Sequence, residues 1–359
     1  MGLQSLDICD FRNIQQASLS FSPGLNLITG ANAAGKTSLL EAIYYLGRVR
    51  SFRTHHANQP IRDGQGAFRL VGHLLREGGR LVPIGIERQT AGLQVHLDGQ
   101  AVRRLSDLAG SFPVQALSGD TSTILSGGPR YRRQTLDWAL FHVEQAYRDI
   151  WQRYTRALRQ RNAALRAQVP ADQITTWDAE LLETAGQIHH SRRLYFETLL
   201  PHLDTEVQRL LPSLLLRLSY QPGWPLESTL SETLGRALEK DRALGSTQYG
   251  PHRADFKLIV AGKPVLSHCS RGQQKAVVVA FMLAQVKCQQ GRESPMGAFL
   301  LDDLGSELDA THQARVLESL GQLGIQVFVT AIDAGPDNLS AWAEMKRFHV
   351  ERGEIQEVV

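Results

Sequence analysis

Eight residues, Gly30-Ala31-Asn32-Ala33-Ala34-Gly35-Lys36-Thr37, follow the spacing G-x-x-x-x-G-K-T. Small side chains at 31, 33 and 34 let the backbone curl round a polyphosphate, its successive N–H groups aimed at the oxygens. Lys36 then neutralises the β- and γ-phosphates, the Thr37 hydroxyl offers a ligand to Mg²⁺, and Ser38 leads into a helix. The pattern carries meaning only between a strand and a helix. Both are present: Leu25, Leu27 and Ile28 form an apolar run before it, and Leu39, Leu40 and Ile43 mark one helix face after it. The expected ligand is ATP with Mg²⁺.

A second acidic half is needed, and Ala298-Phe299-Leu300-Leu301-Asp302-Asp303 supplies it as an apolar strand ending in two carboxylates. One acid must hold Mg²⁺ and the other must orient the attacking water. Asp302 is assigned to the metal and Asp303 to the water, though as neighbours they can exchange these roles. Upstream, Ser270-Arg271-Gly272-Gln273 opens a helix over about 270–288. Gln115 is a further candidate for touching metal and water.

Around these residues the chain reads as follows. Residues 3–9 and Ala17 to Phe21 are strands, and Pro23-Gly24 leads into the strand before the loop. Between 67 and 103 the apolar period is two, with Asp98-Gly99 as a hairpin turn, giving an antiparallel meander. From Leu136 the apolar positions 140, 143, 147, 150, 154 and 158 predict one long amphipathic helix with Trp151 and Tyr154 in its core seam. Arg148, Arg156, Arg159 and Arg166 fall within roughly 80° of one another on that helix, away from the seam. Between 130 and 166 stand nine arginines against three acids, an imbalance suited to phosphate contact. A second helix is expected from about Ile174 to Leu200, ended by Pro201, and another over 227–242, with no strand in the block. Strands return at Asp255 to Ala261 and close with Val327 to Thr330.

Composition sets limits. A chain of 359 residues with 42% hydrophobic residues can build more than one core. Net charge is only +3, so a nucleic-acid surface must be local. Cys9, Cys269 and Cys288 are scattered and odd in number, which argues against a disulfide framework and for a reducing compartment. The opening residues lack an apolar signal region, and the apolar run near 275–286 is too short to span a bilayer. A cytoplasmic protein without a membrane partner is expected.

Taken together, the two halves of the site resemble the ABC-type head ATPases. Ser270-Arg271-Gly272-Gln273 is similar to their signature and Ser306-Glu307-Leu308-Asp309 to their D-loop. Lys36 and Ser270 lie 234 residues apart (270 − 36), too far for a transporter domain and too near for the long arms of chromosome-maintenance proteins. Phe11-Arg12-Asn13, Arg50-Ser51-Phe52-Arg53, Gly127-Gly128-Pro129-x-Tyr131-Arg132-Arg133 and Gly250-Pro251-His252-Arg253-Ala254-Asp255 resemble the bacterial RecF family in order along nearly the whole chain.

That resemblance implies an α/β fold: an ABC-type P-loop ATPase head of mixed sheet plus antiparallel meander, from residues 1–120 and 250–359, with an inserted all-helical lobe at 121–249. It implies a slow, DNA-stimulated ATPase that dimerises on ATP and clamps DNA at gaps and single-strand/double-strand junctions. RecR- and RecO-type partners, recombinase loading, replication restart and SOS induction come with it. The signature Ser270, Arg271, Gly272 and Gln273 would cap ATP held by a second copy. Arg12 and Asn13 would lie near the nucleotide, and Arg50 and Arg53 in a DNA-facing loop, joined by Arg148, Arg156 and Arg159. Thr330 stands where transporters carry a switch histidine. The alternative is the ATPase subunit of an ABC transporter, which the spacing and the absent histidine disfavour.

Overall fold

The computed structural model describes residues 1–54, 56–102, 108, 110–117, 123–290, 296–303, 305, 308–332 and 342–358. Two compact units divide it, one of residues 1–121 with 275–359 and one of 122–274.

In the first unit β1 (Gly2–Phe11) and β2 (Ile14–Ser20) form a hairpin, and β3 (Leu25–Thr29) runs into α1 (Lys36–Arg48). The meander follows as β4 (Ala67–Leu75), β5 (Leu81–Gln89), β6 (Gly92–Leu97) and the short β7 (Gln100–Ala101). With the β1–β2 hairpin these make an antiparallel sheet of order β2-β1-β4-β5-β6-β7. Period-two alternation puts Phe68, Leu70 and Leu74 inside and leaves Arg69 exposed. Asp98 and Gly99 both take positive φ, 54° and 78°, as the tight hairpin turn requires. β8 (Val114–Leu117) leaves for the other sheet.

The second unit begins with α2 (Gly128–Val143) and α3 (Gln145–Arg166). The single long helix expected here is two, because Glu144 sits at φ −134°, ψ 108°. Its apolar seam runs on across the break, so periodicity gave no sign of it. Tyr154 is buried; Trp151 is only partly so, with the Arg192 guanidinium 5.3 Å over its ring. A short helix (Ala171–Thr175) precedes α4 (Asp178–Leu210), which passes straight through Pro201 instead of ending there. Pro201 lacks an N–H, but it and Glu197, whose carbonyl loses that donor, both lie on the exposed side.

The lobe is not all helical. β9 (Leu216–Gln221) pairs along its length with β10 (Asp255–Val260), which also pairs with β11 (Lys263–Pro264). Between them lies α5 (Leu230–Leu244), opened by a capping box in which Thr229 and Glu232 satisfy each other's backbone N–H. The β9–β10 ladder ties residues after 250 to this unit, so the division falls between 274 and 275 rather than at 250. It lies within α6 (Arg271–Gln289).

The first unit resumes with β12 (Ala298–Leu301), α7 (Ala310–Gly321), β13 (Gln326–Ala331), β14 (Met345–Glu351) and β15 (Glu354–Val358). Val327 to Thr330 is therefore not the last strand. The order is β15-β14-β3-β13-β12-β8, parallel throughout except β15. Parallel strands covered on both faces read as unbroken apolar runs. β12 does, and β13 does over 327–329; β14 does not, burying only Phe348 and Val350. Among the described residues no helix is long and apolar enough to cross a membrane.

Buried charge organises the second unit. Fully buried Arg161 donates to Asp178 (2.8 Å), Asp241 (2.7 Å) and the Thr247 hydroxyl (2.8 Å). Fully buried Arg192 donates to Asp137 (2.7 Å) and to the Pro251 carbonyl (2.9 Å). Beside them His252 bonds the Tyr154 hydroxyl through Nδ1 (2.6 Å) and the Thr247 carbonyl through Nε2 (3.0 Å). Burial, with Arg253, Arg133 and Arg161 nearby, pushes the imidazole pKa down from 6.5 to about 4. A folded pKa below the unfolded one means stability is full above about 6.5 and is lost as pH falls towards 4. This contribution is roughly 3 kcal/mol at 1.36 kcal/mol per unit. His252→Gln should show a shallower fall of unfolding free energy between those pH values than wild type, measured by urea titration.

Candidate functional site

The phosphate loop adopts the conformation its glycines allow. Gly30, Ala33 and Gly35 have φ of 145°, 63° and 125°. A Cβ on Gly30 would stand 2.2 Å from the Val350 carbonyl oxygen, and one on Gly35 would stand 2.9 Å from the Asn13 amide. Every grip on the loop from outside takes a carbonyl. Lys36 Nζ donates to Gly30 O (2.6 Å) and Ala31 O (2.9 Å), Asn13 Nδ2 to Ala34 O (3.1 Å), and the Gly353 N–H to Ala34 O (2.8 Å). Ala31, Asn32 and Ala33 are exposed, and no side chain caps the start of α1. The first N–H groups of α1 are thus left without a side-chain cap, which makes that terminus an anion site.

The acid pair meets this loop across the sheet. Thr37 Oγ1 donates to Asp302 Oδ1 at 3.1 Å, so a hydroxyl and a carboxylate oxygen lie side by side as hard-cation ligands. Burial pushes the Asp302 pKa up, opposed by hydrogen bonds from Thr330 and Thr37. Asp303, at φ 53°, has a carboxylate with no hydrogen-bond partner among the described residues. Thr330, fully buried, donates to Asp302 Oδ1 (2.7 Å) and accepts from the Asp303 N–H (2.7 Å). The sequence marked this position only by a missing histidine; the structure makes it the brace of the acid pair.

Other expectations shift. Arg12 does not reach for the loop: its guanidinium holds Glu41 with two bonds (2.9 and 2.7 Å) and the Gln59 carbonyl with a third (3.1 Å). Glu41 is fully buried on α1 and also accepts from the Ser51 hydroxyl (2.5 Å). Arg53, expected to face DNA, lies 3.6 Å from the same carboxylate and close enough to Asp302 to lower its pKa. Arg50 remains exposed. Gln115 is buried and donates to Gln285 (3.0 Å), away from the acids. Glu41 escapes a reading of the sequence because it looks like one more polar residue of a helix.

In the second unit the signature turn is exposed at Ser270, Arg271 and Gln273, with Gly272 partly so. Ser270 Oγ accepts from the Gln273 N–H (3.3 Å), and Gln273 Oε1 accepts from the Ser270 N–H (3.0 Å), a capping box at the start of α6. The serine hydroxyl hydrogen stays available to an outside acceptor. Of the D-loop, Ser306 and Glu307 lie outside the described residues, while Asp309 caps α7 through the His312 N–H (2.9 Å). On α3, Arg156 and Arg159 are exposed beside an open groove of about 630 Å³ lined also by Trp151, Gln152, Thr155 and Gln160. Arg148 is half-buried.

A phosphate loop between strand and helix, an acid pair at the end of a parallel strand one removed from it in the same sheet, and a serine-capped signature helix define an ABC-type head ATPase. A family model described as the RecF/RecN/SMC N terminal domain matches residues 2–353. The chain belongs to the RecF family of DNA replication and repair proteins. It is 40% identical to RecF of Thioalkalivibrio sulfidiphilus (strain HL-EbGR7) over 357 residues, covering 99% of each chain. It is also 40% identical to RecF of Edwardsiella ictaluri (strain 93-146) over 356 residues, again 99% of each. A solved structure of the recombination mediator protein RecF-ATPrS in the RecFOR pathway aligns at TM-score 0.84 with 25% identity, over 99% of this chain and 98% of that one.

Thr330→Val keeps the volume but removes the brace. Mg²⁺ affinity in the presence of nucleotide should fall about tenfold, as for other residues that orient a metal ligand. Titrating the metal against nucleotide fluorescence reads this out.

Proposed function

We propose that this chain is an ATP-switched DNA-binding protein of recombinational repair and replication restart. One observation carries the reading: the signature turn is exposed and internally capped in its own chain, with a hydroxyl hydrogen to give. ATP seated on Gly30–Ser38 is gripped through the free N–H groups of α1, while Lys36 exchanges its loop carbonyls for the β- and γ-phosphates. Mg²⁺ held by Thr37 and Asp302 supplies charge neutralisation at the triphosphate. Asp303, whose carboxylate has no hydrogen-bond partner among the described residues, orients the attacking water. Thr330 holds the Asp302 carboxylate and the Asp303 backbone in place. Arg53, 3.6 Å from Glu41, adds positive charge that favours the ionised Asp302.

A second copy completes the site. Its Ser270 hydroxyl and the N–H of Gly272 face the γ-phosphate, so ATP joins two heads and hydrolysis releases them. DNA enters through arginines: Arg156 and Arg159 flank the α3 groove, with Arg148 beside them. The coupling is reciprocal, and DNA that favours the joined state tightens ATP binding by the same factor. Slow, DNA-stimulated hydrolysis, a preference for gaps and junctions, and RecR- and RecO-type partners in the cytoplasm complete this reading. The RecF relatives and the RecFOR-pathway structure support it.

Ser270→Arg should abolish ATP-dependent dimerisation in sedimentation velocity while leaving ATP binding by the monomer nearly intact; a variant that still dimerises on ATP overturns the capping of one copy by another. Reversing Arg156 and Arg159 to Glu should weaken DNA binding with unchanged ATP affinity in DNA-free protein. Equal DNA binding by that double variant removes the α3 face from the interface.

A further inference from the structure

The turn Gly250-Pro251-His252-Arg253-Ala254-Asp255 is held almost residue by residue. The Gly250 N–H donates to the Gly223 carbonyl (3.1 Å), and the Pro251 carbonyl accepts from buried Arg192 (2.9 Å). The His252 ring is fixed at both nitrogens. The Ala254 carbonyl accepts from Arg133 (2.8 Å), and the Asp255 carboxylate takes both arms of Arg132 (2.7 and 2.9 Å). Arg253 alone is exposed with no hydrogen bond or carboxylate for its side chain among the described residues. Burying Arg192 and half-burying Arg132 is costly unless each charge is fully partnered. A turn built at that cost presents Arg253 in one orientation, which lowers the entropy lost when it binds something.

Its neighbours share its charge. Arg133 lies against the backbone next to Arg253, and Arg130 stands three residues before Arg133 on α2, hence on the same helix face. Arg130 is exposed without a partner among the described residues, and Tyr131 beside it is 37% exposed. The acids of the vicinity are taken: Asp255 by Arg132, and Asp137 by Arg192 and the Tyr147 hydroxyl (2.8 Å). Burial, Arg192 and Arg253 depress the Arg133 pKa, opposed by Asp255 and Asp137.

We propose that Arg130, Arg133 and Arg253 form a second phosphate-contacting surface, separate from the α3 groove, which tracks the phosphodiester backbone of nucleic acid. The inference rests on the DNA-binding reading above. The turn's own N–H groups are used internally, Arg253 to Gly250, Ala254 to Pro251 and Phe256 to the Asp255 side chain. It therefore offers no backbone nest for a single nucleotide. A row of guanidinium groups on a rigid support suits repeated phosphates, with bidentate bonds available to each.

The test is the salt dependence of binding to a gapped duplex in the presence of ATP. Arg130→Gln and Arg253→Gln should each lower the slope of log K against log[salt] by roughly one unit, and the double variant by about two. Arg253→Lys should keep most of the slope, and the melting temperature of all these variants should match wild type, because these side chains support nothing in the fold. A double variant with the wild-type slope and affinity overturns the inference and leaves the DNA-binding reading in place. Wild-type protein that fails to bind the gapped duplex with ATP overturns both, while its sedimentation with ATP independently reports the dimer.

Discussion

An anion site made of peptide groups must keep its N–H groups unused, so whatever holds the loop has to hold it by oxygen. That constraint shapes the first unit. Asn13 from the β1–β2 hairpin, Gly353 from the β14–β15 turn and Lys36 from α1 all donate to loop carbonyls, and no described contact from outside takes a loop N–H. The approach is close enough that a methyl group at Gly30 or Gly35 would collide with the supporting strands. Two elements distant in sequence, with the lysine that opens α1, therefore converge on six residues. Lysine serves twice: it preforms the loop by bridging two carbonyls, and it carries the charge that a triphosphate displaces onto itself.

The same economy of contacts governs the acids. Asp302 is buried and raised in pKa, yet two hydroxyls hold it in the orientation a cation needs. Asp303 is turned the other way by its left-handed backbone, and its N–H is anchored on Thr330. Adjacent carboxylates on one strand thereby acquire different surroundings. Glu41 has a comparable role on α1. A single buried carboxylate collects Arg12, Ser51 and Arg53, fastening the segment after α1 to the helix that carries the loop.

Much of this was legible in the sequence because it rests on local pattern. The strand-loop-helix of 25–43, the acid-terminated β12 and the period-two meander each announce themselves within a dozen residues. What escaped depends on partners far away. Glu144 breaks a helix without interrupting the apolar seam. Pro201 does not break one, since its lost bond faces solvent. β9 sits among helices and shows its character only against β10, and β14 carries just two buried apolar residues although it lies beside β3 in the sheet. Gln115 was misplaced for the same reason: its type fits the expected role, but Gln285 takes its amide. Arg132 and Asp255 stood in two separate motifs, and only the fold shows them as a single pair.

The central sheet also has a history imposed by chain order. Leu25 of β3 is paired on one side with Val327 and on the other with Met345, and the bond from the Thr29 hydroxyl to the Phe348 carbonyl spans 319 residues. During synthesis at about 5–20 residues per second, β3 waits on the order of 15–60 s for either neighbour. The helical insert, whose contacts close among residues 122–274, can be finished in that interval. The ribosome thus releases a molecule whose central sheet has its earliest strand among the last to find its place, and whose nascent apolar helix has to be sheltered until then.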